Sequence, residues 1–315
     1  MGLLSWTLDR SILFSYDRTG FQRHARRFKP ADLDRSMAGQ VCLVTGASSG
    51  LGTAVVRGLA SRGAQVHLLC RNPTKGAQTL QAISDETGSQ DLHLGQVDLS
   101  DLSAVRAYAE GASMTSIDVL VHNAGVLPAS RQMTVDGLEL TVATNLVGPF
   151  ALTHLLWPRL SPTARIIHVS SGGMYSERLD VERLFQPPEP FDGVRAYAQT
   201  KRAQVALSQF LSERSDFAVS SMHPGWADTP GVERSLPTFH RVTRRILRTP
   251  DQGADTIVWL AVAEAAAQPQ GRFFFDREPV PAHLSRRTVA SEAETERLFQ
   301  ALCHHAGADP DTAMR

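Results

Sequence analysis

Cysteine, tyrosine and lysine are scarce in this chain: three, four and three respectively in 315 residues. Cys42, Cys70 and Cys303 are too few and too scattered for a disulfide framework, and none belongs to a Cys-x-x-Cys pair that would hold a structural metal. A reducing, cytoplasmic setting is therefore expected, with no metal site. Net charge is missing as well. The 32 basic and 32 acidic residues balance, so no overall field favours nucleic acid, and a partner must be recognised locally. Long apolar runs are also lacking. Leu3, Leu4, Trp6, Leu8, Ile12, Leu13 and Phe14 come nearest, but Asp9 and Arg10 break the run, leaving it too short for a signal peptide or a membrane span. No later stretch reads as long enough to cross a bilayer, and there is no internal repeat.

What remains is a composition of 42% hydrophobic and 20% charged residues, enough for a large core. From residue 40 onward, short apolar runs alternate with helical patterns. The runs are 41–44, 66–70, 119–121, 166–169 and 219–222, with a weaker one at 92–97. They are nearly continuous rather than alternating, as in strands covered on both faces. A helix is expected between the first two, and a longer one from Leu138 to Trp157 despite Pro149. Strand and helix in repetition predict an α/β doubly wound parallel sheet, Rossmann-like, as one domain over residues 40–277.

Extensions of 1–39 and 278–315 flank it. The first carries Arg18, Arg23, His24, Arg26, Arg27 and Lys29 beside a short apolar stripe of Phe21, Ala25 and Phe28. A helix docked on the body fits so short a stripe better than one lying on a membrane surface. The second contains a helix through Leu298 and Leu302.

Thr45-Gly46-Ala47-Ser48-Ser49-Gly50-Leu51-Gly52 follows the first strand and opens a helix. Glycines there let the backbone approach a pyrophosphate at the positive end of the helix. The same residues satisfy the nucleophile-elbow pattern Gly46-x-Ser48-x-Gly50, so an α/β-hydrolase using Ser48 is the rival enzyme. It lacks a preceding oxyanion segment and leaves the features below unexplained. At the end of the second strand, where an acidic residue would grip ribose hydroxyls, the chain has Arg71 with Lys75 close behind. A cation there suits the 2′-phosphate of NADP(H). Asp98 and Leu99 follow the third strand, with Asp98 placed to accept from the adenine amino group, and Asn123-Ala124-Gly125 ends the fourth.

Tyr197 and Lys201 stand four residues apart, hence on one helix face. A free phenol titrates at about 10, and a cation at about 4 Å in an effective dielectric of about 20 contributes on the order of 4 kcal/mol towards phenolate. Lys201 is thus expected to lower the Tyr197 pKa. Ser171 ends the fifth strand, where its hydroxyl could hold a substrate oxygen.

Taken together, Thr45 to Gly52, Asp98, Asn123-Ala124-Gly125, Asn145, Ser171, Tyr197-x-x-x-Lys201 and Pro224-Gly225-x-x-x-Thr229 resemble the short-chain dehydrogenase/reductase family from about residue 40 to 277. The resemblance implies hydride transfer between NADP(H) and a carbonyl or alcohol. Tyr197 would be the general acid or base, Lys201 would bind the nicotinamide ribose, Ser171 would orient the carbonyl, and Asn145 would support a water-mediated proton path. Pro224, Gly225 and Thr229 would face the nicotinamide, with Ala227 where the family usually has valine. Segments 172–195 and 230–249 are expected to wall the substrate pocket, and Met174, Tyr175, Trp226 and Phe239 suggest an apolar small molecule. A cofactor-binding regulator without turnover is the remaining alternative.

Overall fold

Each apolar run becomes a strand because its residues are covered from both sides. The computed structural model describes residues 12–268 and 271–314; the apolar stretch from Leu3 to Leu8 lies outside the described residues. The strands are β1 (Val41–Thr45), β2 (Gln65–Cys70), β3 (Leu92–Gln96), β4 (Ile117–His122), β5 (Leu160–Val169), β6 (Ala218–Met222), β7 (Phe273–Phe275) and β8 (Glu278–Val280). They form one sheet in the order β3-β2-β1-β4-β5-β6-β7-β8. Every pairing is parallel except the β7–β8 hairpin. The chain starts at β1, winds outward to β3, then returns to β4 on the other side of β1. That reversal opens a crevice at the carboxyl ends of β1 and β4, where such sheets hold their ligands.

The helices are α1 (Ile12–Tyr16), α2 (Arg18–Ala25), α3 (Gly50–Ala60), α4 (Pro73–Thr87), α5 (Leu102–Gly111), α6 (Leu140–Arg159), α7 (Val181–Phe185), α8 (Gly193–Arg214), α9 (Pro230–Ser235), α10 (Pro237–Thr243), α11 (Pro250–Val262) and α12 (Glu292–Ala306). Alternate strand residues feed two cores. Cys42, Val44 and Val121 point to α3 and α11, whereas Leu43, Leu120 and Ile166 point to α6, α8 and α12. By length and composition α6 could cross a membrane, contrary to the sequence expectation, but 83% of its apolar window is buried inside the fold.

The sequence boundary at 277 falls inside a hairpin. Asp276 and Arg277 turn β7 into β8 with φ of 48° and 63°, the left-handed pair that a two-residue hairpin needs. Side chains hold both. Arg277 is forked onto Asp255 at 2.7 and 2.6 Å, and Asp276 receives Arg248 at 2.6 and 2.9 Å. Arg248 is 1% exposed. It also donates to the carbonyls of Ser15, Tyr16 and Asp17 at 2.9, 2.9 and 3.1 Å. His24 reaches the other side of the Asp276 carboxylate, and Phe21 and Phe28 pack edge to face. The N-terminal helices are docked by this buried cluster.

Among the buried histidines, His122, His168 and His223 are the most enclosed, at 1%, 1% and 2% exposure, and stay neutral rings. His122 and His168 stack 5.0 Å apart and bond to Thr153 and Ser208. Burial holds His122 well below its ordinary value; burial and the Lys201 charge push His168 to about 3, and burial and Arg248 push His223 to about 3. The unfolded chain therefore takes up protons first as pH falls below 6.5. Stability should be full above that value and drop through it, by about 2 kcal/mol per histidine at about pH 5. A urea midpoint that stays level from about pH 7 to about pH 5 would contradict this.

Candidate active site

The crevice is a cleft of about 400 Å³ between the glycine loop, the ends of β2 to β4, and the start of α9. Backbone geometry explains the glycines. Gly46 and Gly50 have φ of 66° and 57°, and a methyl group on Gly46 would lie 2.9 Å from the Ala124 Cα. Gly52 is needed for packing: its Cβ would lie 2.3 Å from the Gly46 carbonyl. The loop is clamped from β4, where Asn123 donates its side-chain amide to the Thr45 carbonyl at 2.9 Å and to the Gly46 carbonyl at 3.3 Å. Thr45 Oγ1 accepts from the Asn123 and Ala124 backbone N–H groups at 3.0 and 3.1 Å. Ser48, Ser49, Leu51, Asp98, Leu99, Ala124, Gly125 and Thr229 also border the cleft. Thr144 borders it too, with a buried Oγ1 that has no hydrogen-bond partner in the protein. A bare backbone at a helix start beside an unpaired hydroxyl fits a phosphate-bearing cofactor.

At the cleft's inner end, Gly125 separates the space from Lys201 and Asn145. A methyl there would lie 3.5 Å from both Lys201 Nζ and Asn145 Oδ1. Lys201 is 2% exposed and Asn145 0%. Lys201 Nζ lies 5.3 Å from the centre of the Tyr197 ring and donates to the Val169 carbonyl at 2.7 Å. The Ser171 hydroxyl is close enough to the Tyr197 phenol to favour its charged form. Asn145 sits in a π-helical turn of α6 (Ala143–Val147). Its amide is used on the Val126 N–H, the Val126 carbonyl and Thr200 Oγ1 at 2.8, 3.1 and 3.1 Å. The phenol and ammonium of α8 and the hydroxyl that follows β5 thus lie close together, behind Gly125 as seen from the cleft.

The model of the family described as short chain dehydrogenase matches residues 40–182. Human dehydrogenase/reductase SDR family member 12 is 42% identical, over 94% of this chain and 97% of that protein. The chain belongs to the short-chain dehydrogenase/reductase family. It is an oxidoreductase of that family, whose members bind a nicotinamide cofactor. Human retinol dehydrogenase 11 is 33% identical over 86% of the chain and 87% of its own length. Among solved structures, an uncharacterised protein from Mycobacterium paratuberculosis superposes with a TM-score of 0.72 at 28% identity, covering 90% of this chain and 98% of that one.

Several expected contacts of this short-chain dehydrogenase are placed differently. Asp98 spends one carboxylate oxygen on the Ser100 N–H and hydroxyl at 2.9 and 2.7 Å, and its other oxygen faces Arg71 Nε at 3.8 Å. Pro224 and Gly225, like Asn145, Ser171, Tyr197 and Lys201, are not among the residues that line the cleft itself. Gly225 has φ of 73°, and a side chain there would strike Arg248, so this glycine makes room for the buried guanidinium. Met174 is fully buried against Val205 and Phe273, and the Tyr175 hydroxyl donates to the Pro281 carbonyl at 2.6 Å; both are packing residues. Sequence reasoning missed Tyr16. Its ring lies against Gly172, one residue past Ser171, and stands edge-on to Trp226, which in turn stands edge-on to Phe239. A tyrosine outside every motif gives no local signal of this.

The expected lowering of Tyr197 is also reversed. Burial pushes its phenol up to about 12, with only the nearby Ser171 hydroxyl opposing, and burial brings Lys201 down to about 7. Desolvation disfavours both charged forms and outweighs the pair attraction assumed from spacing alone. The Ser48 hydroxyl neighbours the Cys70 thiol, and among the described residues it has no histidine partner, so the hydrolase reading is not favoured.

Proposed function

We propose that this protein transfers hydride between NADP(H) and an apolar carbonyl or alcohol, working as a reductase. The observation that carries this reading is the grouping of Ser171, Tyr197 and Lys201 behind Gly125, which lines a cleft that also carries Arg71 and Lys75. When bound, the nicotinamide supplies the hydride. The chain's own part is proton transfer and orientation. Because burial keeps Tyr197 protonated, its phenol can donate to a carbonyl oxygen as charge develops there, while Ser171 holds the same oxygen. Lys201, past the gap left by Gly125, would face the ribose.

Arg71 and Lys75 are exposed at the cleft's outer rim and support the choice of NADP(H). Arg71→Asp should weaken NADPH binding tenfold to a hundredfold, the equivalent of about 1.5 to 3 kcal/mol for a charged hydrogen bond, and leave NADH binding equal or better. Fluorescence titration with both cofactors measures it. Equal weakening of the two would mean that Arg71 serves structure. Tyr16, which lies against Gly172, packs with Trp226 and through it with Phe239, an aromatic group that supports an apolar substrate. A relative named retinol dehydrogenase, after an apolar alcohol, agrees with that class.

A further inference from the structure

Lys201 Nζ has three N–H donors. One goes to the Val169 carbonyl, and a second goes to Gln204 Oε1 at 3.2 Å. Gln204, one turn further along α8, is 1% exposed. Its Nε2 donates to the main-chain carbonyl of Asn145 at 2.6 Å. The α-helical donor for that carbonyl would be residue 149, a proline without an N–H. The amide orientation is settled by its neighbours: a carbonyl only accepts, and an ammonium only donates.

We propose that Gln204 is a positioning residue for Lys201, its carboxamide bridging the Asn145 carbonyl to the Lys201 ammonium. Lys201 is thereby left with one free N–H, next to the gap at Gly125. Among the described residues, the titratable groups facing Lys201 are Tyr197 on α8 and His168 on β5, and the latter is held neutral.

This inference rests on reading Lys201 as the cation of the site, so its test begins on the protein alone. With only three lysines in the chain, ¹³Cε-lysine NMR can follow Lys201 by itself. It should titrate near 7 in the parent. In Gln204→Leu, which removes the acceptor, it should titrate below about 6; in Gln204→Glu, which supplies a carboxylate, above about 8. If one variant fails to fold, the other decides alone. A Lys201 titration unmoved in a folded variant overturns the proposal, since a Gln204 that only packs would change stability and leave that titration in place. As a second readout, kcat/KM for NADPH at about pH 7.5 should fall tenfold or more in Gln204→Leu, and its alkaline limb should shift upward in Gln204→Glu. An NMR shift without a matching shift in that limb would uphold the role of Gln204 and count against the catalytic use of Lys201.

Discussion

Tyr197→Phe should reduce carbonyl turnover by at least 10²- to 10⁴-fold, the range for a general acid, while NADPH binding stays nearly intact. The substitution removes one hydroxyl and keeps the ring that packs beside Lys201. Lys201→Ala should differ by weakening cofactor binding as well. Because burial raises the phenol to about 12, the protonated form persists through neutral pH, which serves reduction. Alcohol oxidation needs the phenolate, so its rate should climb with pH while reduction does not. NADPH consumption and ester hydrolysis, measured side by side on Tyr197→Phe and Ser48→Ala, separate this mechanism from a hydrolase. A Tyr197→Phe protein that reduces carbonyls at the parent rate would sink it.

Arg248→Met should destabilise the fold by about 3 to 5 kcal/mol, as breaking one side of a buried ion pair does. Methionine fills much of the space but donates nothing. The Asp276 carboxylate, 4% exposed, would keep only His24 as its side-chain partner among the described residues, and the Ser15, Tyr16 and Asp17 carbonyls would lose the Arg248 N–H groups. Two further features depend on this side chain. Asp276 is held in a left-handed turn, and the α1–α2 segment is tied to the hairpin, carrying Tyr16 to Gly172. Urea unfolding measures the loss, and a change below about 1 kcal/mol would show that the cluster is not the anchor described here. The same variant should raise KM for an apolar substrate more than KM for NADPH, because Tyr16 stands near Ser171 and away from the cleft rim.

Much of this protein was legible in its sequence, and the reason is local. Continuous apolar runs such as 66–70 can be satisfied only by strands covered on both faces. Gly46, Gly50 and Gly52 announce a turn that side chains would block, and Tyr197 with Lys201 on one helix face requires no knowledge of the rest of the fold. Those signals sufficed for the doubly wound sheet and for the glycine turn at its crevice.

What only the tertiary structure decided are relations between distant segments. Burial, which no spacing reveals, set the protonation of Tyr197 and Lys201 against the simple Coulomb expectation. Arg248 gathers residues 15–17, Gly225 and Asp276 around one guanidinium, so that Gly225 also gives clearance to a buried cation. An Asp-Arg pair carries no hairpin signature until Arg248 and Asp255 hold it in place, so the last strand fell outside the expected domain. Gln204 becomes part of the site only because Pro149, on another helix, leaves the Asn145 carbonyl without its usual donor. In each case a polar group buried by the fold had to find a partner, and the partner came from a segment far away in the chain.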